Sequence, residues 1–132
     1  MGRGVTVVLD ASAVLAVIFS ESGGDRVLPH LASADSRMSA VNLAEVASRL
    51  VDAGFSDPEV RAALAALHGA VVAFESETAL HSGVLRRKTR ALGLSLGDRS
   101  CLALAGELGA PAITADRAWA GLDIGVEIEV IR

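Results

Sequence analysis

Short apolar runs punctuate the chain, and helical spacing fills the intervals between them. Val5–Leu9 is a β-branched apolar run, the mark of a strand buried on both faces. A helical stretch from Ala11 to Phe19 follows and is broken at Ser22-Gly23-Gly24, after which Asp25–Ala32 fits a second helix. Arg37–Ser39 fits a short strand leading into Val41–Ala53, where Val41, Leu43, Ala44, Val46, Ala47 and Leu50 recur at helical intervals until Gly54 ends the pattern. Ser56-Asp57-Pro58-Glu59 reads as a cap with Pro at the first helical position, opening a helix to about Leu67. Ala70–Phe74 fits a strand, Ser76 begins a long helix to about Leu92, and Ser95 opens another that ends at Gly109. Pro111–Thr114 and Val126–Ile131 fit the last two strands. This alternation predicts an α/β fold, a mainly parallel sheet flanked by helices in an α/β/α sandwich, with residues 1–132 as one domain. In such sheets, ligands bind beyond the carboxyl ends of strands where strand order reverses.

Composition narrows the picture. Hydrophobic residues make up 52% and aromatics 3%, with no Tyr, so the core is built from closely packed Ala, Leu and Val and the chain is not disordered. A single cysteine, Cys101, excludes an internal disulfide and a multi-cysteine zinc site. Its apolar helical surroundings predict a buried, inert thiol. Arg3 followed by apolar runs resembles the start of a leader peptide, but Asp10 interrupts the run. No run reaches the ~20 residues of a membrane span, and the expected location is the cytoplasm. The net charge of −4 argues against a protein that holds nucleic acid by bulk positive charge.

The acids carry the candidate chemistry. Asp10 follows the first strand directly, Asp116 follows Pro111–Thr114 by two residues, and Asp98 stands in the first turn of the helix opened by Ser95. Glu45 lies in the helix after Ser39. Each has a local explanation: Asp10 and Asp116 as N-caps, Ser95–Asp98 as a capping box, and Glu45 as an i, i+4 ion pair with Arg49. Against these readings, Asp10 and Glu45 have apolar neighbours, and four carboxylates brought together would repel unless a cation joined them. A hard cation with oxygen ligands, Mg²⁺ or Mn²⁺, resolves that conflict. Ser12 and Thr114 could orient the carboxylates or serve as local caps.

Four segments carry a resemblance: Val7–Leu15 around Asp10, Asn42–Val46 around Glu45, Leu94–Leu104 around Asp98, and Ile113–Trp119 around Asp116. In order and spacing they resemble the PIN-domain nucleases, and more closely the VapC toxins of type II toxin–antitoxin pairs. The resemblance implies a Mg²⁺-dependent endoribonuclease, with Mn²⁺ as a possible substitute. Asp10, Glu45, Asp98 and Asp116 would be the catalytic, metal-binding acids, with Ser12 and Thr114 in support. It also implies an RNA substrate, a cognate VapB-like antitoxin and a homodimer. Arg86, Arg87 and Arg90, with Lys88, fit either a solvated helix end that complements the dipole or a phosphate-contacting rim for RNA. Arg99 and Arg117 each follow a candidate acid and could screen it or touch substrate.

The competing class is a non-catalytic interaction module whose acids are only caps. Its groove would be lined by Ala13–Phe19 with Val27, Leu28 and Leu31. A haloacid dehalogenase-type phosphatase would need a second Asp where Ser12 stands, and a receiver domain would need one ending the middle strand Ala70–Phe74. His30, His68 and His81 show no metal-ligand spacing and read as surface or packing residues. No Gly-rich phosphate loop is present. Setting the four acids aside leaves twelve basic and twelve acidic residues, so the acidic excess matches the proposed metal site in number.

Overall fold

Three residues, Val7–Leu9, form strand β1 at the centre of the molecule because both of its faces can be buried. Side chains alternate along a strand: Val7 and Leu9 enter one apolar cluster and Val8 the other. The computed structural model describes residues 6–132. Arg3 and Val5, the basic start of a leader-like segment and the first residue of the expected strand, lie outside the described residues.

On either side of β1 lie β2 (Ser36–Ser39), β3 (Val71–Val72), β4 (Ala112–Thr114) and β5 (Ile128–Val130), in the order β3-β2-β1-β4-β5. Every pairing is parallel, with Val8 opposite Arg37 on one side and Ala112 on the other. The first cluster packs α1 (Ala11–Ile18), α2 (Gly24–Ser33), α3 (Ala40–Asp52) and α4 (Asp57–Leu64) against one face through Val14, Val27, Val46 and Leu50, with Leu64 at its margin. On the other face, α7 (Leu96–Leu108) contributes Cys101, Leu102, Leu104 and Ala105, beside the fully buried Trp119. Helix α5 (Ser76–Val84) packs on α7. The α/β/α expectation holds. At Gly23, φ is +91° and a Cβ would sit 2.5 Å from the Ile131 carbonyl oxygen, so only glycine fits the turn from α1 to α2.

Several boundaries differ from the sequence pattern. The expected helix from Ser76 to Leu92 is three pieces: α5, a single turn α6 (Arg86–Thr89), and a 3₁₀ turn over Arg90–Leu92. The Leu85 carbonyl stands at the first junction. It accepts from Lys88 N (3.0 Å), Thr89 N (3.1 Å) and the Thr89 hydroxyl (3.0 Å), and such back-bonding tightens and bends the chain. The helix expected to reach Leu67 stops at Leu64 and continues as a 3₁₀ segment over Ala65–Ala70. The expected strand Ala70–Phe74 shrinks to Val71–Val72 at the sheet edge, so it is not a middle strand. No helix among the described residues is long and apolar enough to cross a membrane.

Candidate active site

From β1 the chain winds outward through β2 to β3, and then returns to β4 and β5 on the opposite side. Strand order therefore reverses between β1 and β4, and their carboxyl ends open the expected crevice. A cavity of about 410 Å³ lies there, and its walls carry Asp10, Ser12, Glu45, Arg49, Asp98 and Asp116. All four acids singled out in the sequence share this one cavity.

Asp10 is held deepest, with 4% of its surface exposed. It stands at the start of α1 but makes no side-chain cap. Instead, its Oδ2 accepts hydrogen bonds from the Ser12 hydroxyl (2.7 Å) and the Thr114 hydroxyl (3.0 Å). Those hydroxyls in turn accept from Ala115 N (2.9 Å) and Asp116 N (3.0 Å). Each hydroxyl has one proton, already directed at Oδ2, so the 3.2 Å contact between them adds no further bond. Burial is the main force pushing the Asp10 carboxyl up to about 6. The Ser12 and Thr114 bonds oppose it, and the charges of Asp98 and Glu45 add to it.

Glu45 is half-buried on α3. No ion pair joins it to Arg49 among the described residues. Its Oε1 accepts from the Asn42 amide at 2.8 Å, and the same amide donates to the Gly97 carbonyl at 3.0 Å. Asp98 and Asp116 do act as local caps. Oδ2 of Asp98 accepts from Ser95 N (2.8 Å), the Ser95 hydroxyl accepts from Asp98 N (3.2 Å), and Oδ1 of Asp116 accepts from Ala118 N (2.9 Å). The caps thus leave room for the site reading. A cap occupies one oxygen of a carboxylate and fixes its direction, which leaves the second oxygen free.

One pattern runs through all four acids. Each has one oxygen fixed by a protein donor (Asp10 Oδ2, Glu45 Oε1, Asp98 Oδ2, Asp116 Oδ1), and the other has no protein hydrogen-bond partner among the described residues. Among those residues, no three His, Cys, Asp or Glu side chains stand together closely enough to hold an ion by themselves, so an ion here would need water or substrate oxygens to complete its shell. An open set of hard oxygen donors suits Mg²⁺ or Mn²⁺, which keep several waters, better than zinc.

The basic residues fall differently from expectation. Arg86, Arg87 and Arg90 are exposed, but they line a separate cavity of about 430 Å³ with Leu80 and Val84. Arg99 is buried and donates to the Ser82 carbonyl at 3.0 Å; Arg117 donates to the Arg132 carbonyl at 2.9 Å. Among the described residues, the cation that reaches the acidic cavity is the exposed Arg49. Sequence reasoning treated it only as an ion-pair partner, and it gave Asn42 and Gly97 no role. Their signals were an amide three residues before Glu45 and a glycine inside a helical first turn, where glycine is unfavourable.

Cys101 is fully buried, and burial first, then the charges of Asp10, Asp98 and Glu45, pushes its thiol well up, as an inert thiol requires. No histidine joins the acids: His30 meets Asp35 at 3.3 Å and His81 meets Glu107 at 3.5 Å. Val27, expected to line a partner groove, is fully buried in the core. A groove of about 560 Å³ lies between α3 and α4, with Leu43, Ala47, Val51, Val60, Leu64 and His68 along it.

The family model described as PIN domain matches residues 7–124 of the chain. No curated protein matches it by sequence. Several solved structures share the fold. VapBC2 from Rickettsia felis, bound to a DNA fragment from their promoter, is similar over 94% of this chain and 97% of that one, with a TM-score of 0.71 and 14% identity. DNA-bound VapBC from Salmonella typhimurium is similar over 98% and 100%, with a TM-score of 0.70 and 20% identity. VapBC-5 from Mycobacterium tuberculosis, described as a member of the VapBC family of toxin–antitoxin systems, is similar over 98% and 99%, with a TM-score of 0.56 and 23% identity.

Proposed function

The chain belongs to the PIN-domain family, and from that premise we propose that it is a Mg²⁺-dependent endoribonuclease, the toxin of a type II toxin–antitoxin pair. PIN domains are nucleases and generally use divalent metal ions. The observation that carries the proposal is the set of four carboxylates facing one cavity, each with one oxygen anchored and one free. Caps alone do not account for Asp10, which is buried, raised to about 6 and unused as a cap. A lone carboxylate in that position is unfavourable, and a cation beside it reverses the sign of the effect.

In this reading Asp10, Glu45, Asp98 and Asp116 hold the metal, Mg²⁺ or Mn²⁺. When bound, the ion makes water more acidic and offsets the charge that develops on the scissile phosphate. Ser12 and Thr114 keep the Asp10 carboxylate in one orientation, and the Ser95 and Ala118 backbone amides do the same for Asp98 and Asp116. Arg49 sits where a guanidinium can meet a substrate phosphate. Arg86, Arg87 and Arg90, which line a cavity of their own, are the proposed RNA contacts outside the acidic site.

A VapB-like antitoxin is the proposed inhibitory partner, an assignment supported by the VapBC structures that share the fold. A homodimer is proposed as well, since several large apolar side chains are left exposed. The test is to map RNA ends in cells after brief expression of the wild type and of Asp98→Asn. Discrete new ends are expected with the wild type alone. The same ends in both cultures, or none in either, would overturn the assignment.

A further inference from the structure

Asn42 is wholly buried in the first turn of α3, and its hydrogen bonds are lopsided. The Nδ2 group donates to Glu45 Oε1 at 2.8 Å and to the Gly97 carbonyl at 3.0 Å, whereas Oδ1 has no partner. Flipping the amide would set Oδ1 against two acceptors, so the network itself fixes the orientation. A buried acceptor left unpaired is unfavourable for folding, and what the amide supplies in return is the bridge from Glu45 to α7.

Gly97 closes the other side. It stands in the first turn of α7, between the Ser95 cap and Asp98, and a Cβ there would collide with both oxygens of the Glu45 carboxylate. The carboxylate therefore rests on the backbone of the helix that carries Asp98, at an end whose partial positive charge favours an anion.

We propose that Asn42 and Gly97 are positioning residues that act through Glu45. Asn42 holds the carboxylate in place across two helices, and Gly97 leaves the space it occupies. Together they set the separation of Glu45 from Asp98. The inference rests on the metal-nuclease assignment of the same cavity.

The experiment titrates Mn²⁺ into metal-free protein, following free Mn²⁺ by electron paramagnetic resonance, alongside thermal unfolding and RNA cleavage. The proteins are the wild type, Asn42→Ala, Gly97→Ala, Glu45→Gln and the two double variants. Removing an outer-shell partner of a metal ligand commonly lowers metal affinity or activity about 10–100-fold, and Asn42→Ala and Gly97→Ala are each expected to lose Mn²⁺ affinity and kcat in that range. Gly97→Ala keeps or raises the melting temperature, because Ala suits a helix better than Gly and the clash falls on the flexible end of a side chain. In the Glu45→Gln background, neither change lowers Mn²⁺ affinity further. Wild-type affinity in both single variants overturns the proposal, as does an equal further loss in the Glu45→Gln background, which would make the roles merely structural. If the wild type itself binds no Mn²⁺, the metal-nuclease assignment fails and the proposal fails with it.

Discussion

Replacing Asp10 by Asn is expected to stabilise the metal-free protein while it removes the activity. Burial holds the Asp10 carboxyl at about 6 in the folded chain against 3.8 for the ordinary group. At low pH both folded and unfolded chains carry the proton, so ionisation has no effect on folding. As pH rises past 3.8 the unfolded chain ionises first, and the folded state loses stability until about 6, where its own carboxyl ionises. The slope is about 1.4 kcal/mol per pH unit, so the full deficit above that window is about 3 kcal/mol. An Asn amide oxygen can accept the same Ser12 and Thr114 hydroxyls without the charge. The expected gain at pH 7.5 in EDTA is therefore roughly 1–3 kcal/mol, or about 4 °C of melting temperature per kcal/mol for a chain of this length. Urea and thermal unfolding at pH 7.5 and at pH 3.5, with EDTA throughout, measure it. The gain should vanish at pH 3.5, and saturating Mg²⁺ should stabilise the wild type but not the variant. A variant no more stable than wild type at pH 7.5, or equally more stable at both pH values, would refute the reasoning.

Three further outcomes follow from the same geometry. Asp98→Asn keeps an oxygen able to accept from Ser95 N, so its stability is expected to change by less than about 1 kcal/mol while cleavage of RNA is lost; full activity in the purified variant would remove Asp98 from the site. Thr114→Val preserves shape but deletes one of the two donors to Asp10 Oδ2, which raises the Asp10 pKa further. It weakens Mn²⁺ binding by a factor of roughly 10, the worth of one hydrogen bond to a charged group, measured by the same titration; unchanged affinity would refute it. Neutralising Arg86, Arg87 and Arg90 together is expected to flatten the dependence of RNA affinity on salt by about 0.7 log units per lost phosphate contact. Fluorescence anisotropy across a salt series checks it, and an unchanged slope would exclude the basic surface from RNA binding.

Much of this protein was legible in local pattern. Strand β1 reads as an apolar run buried on both faces, and the capping box at Ser95 and Asp98 is a four-residue signal confirmed by bonds of 2.8 and 3.2 Å. Asp10 among apolar neighbours already implied desolvation. These features depend on side-chain period, on turn chemistry and on residue type, and all three are carried within a few residues of chain.

The tertiary structure decided what depends on contacts across long separations. Thr114 reaches Asp10 over 104 positions and Asn42 reaches Gly97 over 55, so no window of sequence could pair them. The same holds for the arginines: Arg86, Arg87 and Arg90 look adjacent to Asp98 along the chain, yet they line a cavity of their own and Arg49 arrives from α3 instead. Sequence alone therefore singled out four acids whose mutual repulsion a cation would relieve. Only the fold decided which of their oxygens are anchored and which stay free, because that division is set by donors from other strands and helices packed at the point where strand order reverses.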